Sequence, residues 1–292
     1  MIRRFISVLF AGLLLVTPAL ADPVLVNGYS DHPAEAAMSE YLAFRLSEYL
    51  GVGIVVQHEA DEAAAANAFL ALPADEAILL AGPNAMIYSL QGRTDMDLRT
   101  ALDPVAETAL ARCVLCGSPD LTALVPGATP ESLAAWTEDH PYEQALFRTM
   151  DADYNDYLAL AVTGDFYLDD GLCADYAEIE QMILDGTSGI IVLSSAMIPE
   201  GLDSPVPLCD AEMPGLWQGL FVRSGGGKEL AERLSFAVPD ILSSPEWLAF
   251  LAENGYETPA CRSSDEFRKK VEDETQELIS YLTAEGLFFY EW

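Results

Sequence analysis

Short apolar runs and helical stretches take turns along this chain, and that alternation constrains its fold class more than any other feature. Val24–Val26 reads as a strand. A helix then runs to about Leu50, its buried stripe formed by Met38, Leu42, Leu46 and Tyr49, with Gly51 beyond its end. Ile54–Gln57 is the next strand and Ala60–Leu72 an alanine-rich helix. Ala77–Leu80 is a third strand, ending in the loop Ala81-Gly82-Pro83-Asn84. Strands alternating with helices predict βαβ units around a largely parallel sheet. The expected class is α/β.

The same alternation continues further on. Ala109–Cys116 reads as a strand, Leu124–Pro130 as a loop and Glu131–Glu138 as a helix. Leu158–Val162, Tyr176–Leu184 and Ile190–Leu193 make another strand–helix set before an apolar run returns at Gly219–Val222. Glycines 225 to 227 then break that strand, and Leu230, Leu234, Ala237 and Ile241 recur at helical spacing. Ser244-Pro245-Glu246 has the order of a helix start: a capping hydroxyl, proline at the first helical position, an early acid. Trp247, Leu248 and Leu251 follow on one expected face, and Asn254-Gly255 supplies a left-handed stop. Ser263 and Glu266 stand at capping-box spacing and open one more helix.

The amino terminus carries Arg3 and Arg4 ahead of the apolar run Phe5–Val16, then the small-x-small step Ala19-Leu20-Ala21. This is the pattern of a secretory signal peptide over residues 1–21, with cleavage expected after Ala21. No other apolar run approaches the ~20 residues that cross a bilayer, so direct membrane insertion is not expected. Without the leader, twelve bases face 47 acids, a net charge of −35. Such a charge excludes nucleic acid and anionic membrane surfaces as partners. The acids are spread along the chain and read as a solvated shell.

An exported chain meets an oxidising compartment, where cysteines pair. Cys113-Val-Leu-Cys116 lies in a strand-like run, and residues three apart on a strand face opposite sides, which argues against a redox motif. Cys173 and Cys209 are the candidate disulfide, with at least one thiol left free; the spacing leaves the connectivity open. Ser224–Lys228 lacks the spacing and hydroxyl of a phosphate-binding loop and reads as a strand-to-helix turn. His58-Glu59 has no second histidine four residues on, and no GxSxG elbow occurs. Neither a cofactor, a metal nor an enzyme activity is expected. The aromatic end Leu287–Trp292 reads as a docked tail or a partner contact.

In their order along the chain, several segments resemble one family. VNGYSDHPAEAAMSEYLAFRLSEYLG, ALDPVA, TPESLAAW, SPVPLCDAEMPG and the succession from GLFVRSGGGK to SSDEF are similar to the periplasmic solute receptors of tripartite tricarboxylate transporters. The resemblance implies a two-lobe, periplasmic-binding-protein-like fold of type II with a ligand cleft between the lobes. Lobe 1 is expected over 22–124 plus 220–292 and lobe 2 over 125–219. It implies a monomeric periplasmic receptor that captures a small solute, a carboxylate in most of the family, and delivers it to membrane transporter subunits. The alternative on the same scaffold is a ligand-free or altered-specificity sensor subunit.

Ligands of such folds lie at the carboxyl ends of strands. By position the first lobe offers Asn27, Gly28, Tyr29, Ser30, Asp31 and His32, together with Gly82, Pro83 and Asn84. The second offers Arg148, Thr149, Asp169, Asp170, Ser194 and Ser195. Where the family carries a glycine pair in its first loop, this chain has Ser30-Asp31-His32-Pro33. Asp31, Asp151, Asp169 and Asp170 would repel a dicarboxylate in a shared desolvated cleft, so a cationic, zwitterionic or neutral solute is credible.

Overall fold

Strand and helix alternate as expected in the computed structural model, which describes residues 22–28, 33–117, 146–149, 169–172, 190–194 and 215–284. The first run is β1 (Val24–Asn27), α1 (Pro33–Leu50), β2 (Val55–His58), α2 (Glu62–Ala71), β3 (Ala77–Ala81) and α3 (Pro83–Leu90). The single turn α4 (Leu98–Ala101) leads into β4 (Leu102–Ala111). Four short strands follow: β5 (Cys113–Gly117), β6 (Leu146–Thr149), β7 (Asp169–Leu172) and β8 (Ile190–Ser194). The last described elements are β9 (Leu216–Arg223), α5 (Lys228–Leu242), α6 (Pro245–Glu253) and α7 (Ser264–Ala284).

These strands form two sheets, one in the order β2-β1-β3-β9-β4 and one in the order β5-β8-β6-β7. In the first, β1 pairs parallel with β2 and β3, while β9 runs antiparallel between β3 and β4. Its four other strands therefore share one direction and end on one edge. Pro104 is tolerated inside β4 because that strand is the sheet's edge, where a missing donor costs least. In the second sheet β6 is parallel to β7 and β8, and β5 is antiparallel to β8. The strand expected over Ala109–Cys116 is thus two strands, β4 and β5, which part at Arg112 and belong to different sheets.

Both faces of the first sheet are covered, which explains why β3 reads as an unbroken apolar run, AILLA, buried throughout. Leu25, Ile78 and Leu80 face one core with Met38, Leu42 and Leu46 of α1, Leu234 and Ile241 of α5, and Trp247 of α6. Val26 and Leu79 point the other way, toward Phe69 of α2, Met86 of α3 and Phe267 of α7. Gly219 is required there: a Cβ on it would lie 2.3 Å from Cζ of Phe267.

Two expected stripes are corrected. Tyr49 is 46% exposed and Leu248 40% exposed. On α1 the stripe turns through Ser39 and Ala43, so Leu50, four residues after Leu46, takes the inward position that Tyr49 was expected to hold. On α6, Trp247 and Leu251 are four apart and buried, which leaves Leu248 a third of a turn away toward solvent. The loop expected at Gly82–Asn84 is already helical from Pro83, with Gly82 as its N-terminal cap. Leu124–Pro130, Glu131–Glu138, Leu158–Val162, Tyr176–Leu184, Cys173, Cys209 and the tail Leu287–Trp292 lie outside the described residues.

Candidate functional site

Register brings several of the buried polar groups among the described residues to one edge of the first sheet. Asn27 ends β1 opposite His58 of β2 and Leu80 of β3. One step further, Ala81 stands opposite Gly219, and Gln218 follows opposite Ala109. The carboxyl ends of β1 to β4 therefore meet the start of β9, the edge where open α/β sheets bind ligands. Asn27, Glu62, Asn84, Thr108 and Gln218 are all buried there, against the usual fate of polar side chains.

Three chain segments converge at the ends of β1, β2 and β3. Asp61 caps α2, its Oδ1 accepting the Ala64 N–H at 2.7 Å, and Glu62 is the first residue of that helix. The Glu62 carboxylate, 2% exposed, accepts the Gly82 N–H at 2.6 Å on Oε1. Gly82 precedes Pro83 at the start of α3, so this amide belongs to a helix terminus that favours an anion. Gly28 packs against the same point: a Cβ on it would lie 2.6 Å from both N and Cα of Glu62. Only glycine allows the first loop to approach so closely. Asp61 is joined to Arg93 at 3.3 Å, and the Arg93 guanidinium lies 3.9 Å from the Tyr88 ring centroid.

A second group forms around the first turn of α1. Asn27 donates from Nδ2 to the Glu35 carbonyl at 3.5 Å, and Gln218 donates from Nε2 to the Glu35 carboxylate at 3.4 Å. Thr108 donates to the Gln218 carbonyl at 3.0 Å, which fixes β4 to β9 at the same level. Burial, and then the neighbouring Glu35 carboxylate, push the Tyr256 phenol well above its ordinary range. Tyr256 therefore stays neutral, an inward-facing hydroxyl beside a carboxylate.

No protein-family profile matches the sequence, and no curated protein matches it either. Solved structures do. An R. palustris protein with adipate is 16% identical, with a TM-score of 0.69 over 91% of this chain and 97% of its own. MatC from Rhodopseudomonas palustris with bound malate is 14% identical, with a TM-score of 0.66 over 88% and 97%. The periplasmic binding protein BugD is 14% identical, with a TM-score of 0.62 over 91% and 98%. The fold is that of the periplasmic solute-binding proteins.

Within that binding-protein fold, the expected first-lobe residues Asn27, Gly28, Gly82, Pro83 and Asn84 gather on one edge. Tyr29, Ser30, Asp31 and His32 lie outside the described residues, as do Asp151 and Ser195. The second-sheet candidates stand on strands. Arg148 and Thr149 occupy the carboxyl half of β6, whereas Asp169 and Asp170 pair with Leu146 and Phe147 at the amino half of that parallel pair. The two aspartates are thus on the opposite half of the sheet from Thr149. Ser194 ends β8 opposite Cys113. Glu62 and Glu35 were not foreseen, although an Asp-Glu pair opening a helix just after a strand is the local signal that marks the first.

A cavity of about 240 Å³ lies apart from this edge, between α3, α4, β4 and α7. Met86, Leu98, Phe221, Val271 and Ile279 line it with Arg99 and Arg268, and no expected site residue takes part. Arg99 is bound to Asp97 at 2.6 Å and Arg268 to Asp103 at 3.2 Å.

Proposed function

We propose that the protein is an exported, non-catalytic receptor that captures a small organic solute between two lobes and delivers it to a membrane transporter. The observation that carries this reading is the buried polar edge at the carboxyl ends of β1 to β4, built on a binding-protein fold. The leader, residues 1–21, supports export, with cleavage after Ala21. Among the described residues no helix is long and apolar enough to cross a membrane. Lobe 1 over 22–124 plus 220–292 and lobe 2 over 125–219 belong to this proposal, and the change of sheet between β4 and β5, with β9 back in the first sheet, supports two lobes. Adipate and malate, bound in two of the similar structures, make small organic acids the first solutes to try, followed by amino acids and amides.

A thermal-shift screen of the protein without its leader tests this. A ligand that binds only the folded state stabilises it by mass action, about 2.7 kcal/mol at a hundred times its Kd. At least one solute is expected to raise Tm by several degrees at millimolar concentration. A flat response across all three classes contradicts the proposal.

A further inference from the structure

We propose that Glu62 sets the solute class of this site: its carboxylate takes the place of a solute carboxylate, and the first lobe selects a solute that presents an N–H donor, an ammonium or an amide. The inference rests on the receptor reading and goes beyond it. The Gly82 N–H belongs to the unpaired donors at the head of α3 and lies just beyond the end of β3. In an open cradle such an amide receives an anion from outside. Here it is engaged from within, by Glu62 Oε1 at 2.6 Å.

This is not a mobile side chain on the surface. Glu62 is 2% exposed and begins a helix whose cap, Asp61, is itself bound to Arg93. Gly28 closes on its backbone from the end of β1. A solute carboxylate brought to the same amide would meet a buried like charge and would have to displace it. A cation or an amide N–H meets an acceptor. Glu35, whose carboxylate receives the Gln218 amide at 3.4 Å, gives the adjoining part of the edge the same sign.

Glu62→Gln separates this role from simple helix capping, because glutamine keeps one oxygen for the Gly82 N–H while its other terminus becomes a neutral NH2 donor in place of a charged acceptor. Calorimetric titration of the wild type and this variant uses matched series: succinate, succinamide, 4-aminobutyrate and 1,4-diaminobutane, and their six-carbon counterparts beginning with adipate. The wild type is expected to bind an N–H-bearing member at least tenfold more tightly than the matched dicarboxylate. Glu62→Gln is expected to shrink that ratio at least tenfold while its Tm stays within a few degrees of wild type. A wild-type preference for the dicarboxylate, or a ratio unchanged by Glu62→Gln, overturns the inference and leaves the receptor reading standing. Failure of every member to bind the folded wild type overturns both.

Discussion

Lys270 and Glu274, one turn apart on α7, meet Glu107 of β4 and Trp217 of β9 in a space largely closed to solvent. Glu107 is fully buried, with Lys270 Nζ 2.7 Å from its Oε1 and the Cys261 N–H donating to its Oε2 at 2.8 Å. Glu274 accepts the Trp217 indole N–H at 2.5 Å, while Lys270 stands 4.0 Å away. The ammonium thus serves Glu107 first. Burial pushes the Glu274 carboxyl up to about 7, against the opposing pull of Lys270 and the indole. Burial and then Glu107 likewise push the Cys261 thiol up to about 12, so this thiol, which is in no disulfide, is a poor nucleophile at neutral pH. For Glu274 the folded state holds its proton more tightly than the unfolded chain does. Its contribution to stability is therefore full below about pH 4.5 and is lost as pH rises through about 7. Urea unfolding at both ends of that window should show wild-type stability falling by about 2 kcal/mol more than that of Glu274→Gln. Parallel curves for the two proteins would refute this assignment. The i, i+4 spacing of Lys270 and Glu274 is legible in sequence, but Glu107 and Trp217 arrive only by tertiary folding. The same holds for Glu62: the Asp61-Glu62 helix start is local, whereas its partner Gly82 lies twenty residues on, beyond another strand.

Element ends are the most legible part of this chain, because caps are written within four residues. Ser244 Oγ accepts the Trp247 N–H at 3.2 Å, Pro245 opens α6, and Gly255 stops it at φ +73°. Ser263 caps the Glu266 N–H at 3.2 Å, although the returning carboxylate accepts from Arg262 and not from Ser263 itself. Faces are less legible than ends. Leu248 and Tyr49 are apolar enough to be counted inward, yet whether a position at the border of a stripe is covered depends on the neighbouring helix. Ser244→Ala should cost about 1 kcal/mol, read as a lowered urea midpoint with an unchanged slope. The loss propagates inward because Trp247 packs with Tyr41 and Phe250 at centroid distances of 5.4 and 5.3 Å. A Ser244→Ala midpoint equal to that of wild type would show that packing alone fixes α6.

At the scale of the whole molecule, the alternation of strands and helices sufficed to predict α/β architecture and an excursion out of the first sheet and back. It did not reveal that β9 would enter between β3 and β4, because an apolar strand carries no label for its neighbours. Nor did it show that Asp169 and Asp170 stand on a strand, since aspartate and glycine are depleted in strands. The insertion of β9 matters for the proposed site: it brings Gln218 to the edge that also carries Asn27, Glu62 and Gly82. The most direct test is a crystal structure with the solute that gives the largest thermal shift. The account predicts the solute beyond the carboxyl ends of β1 and β3, in contact with the segments that carry Gly28, Glu62 and Asn84. A solute found instead in the cavity between α3 and α7, touching no residue of this edge, would contradict it.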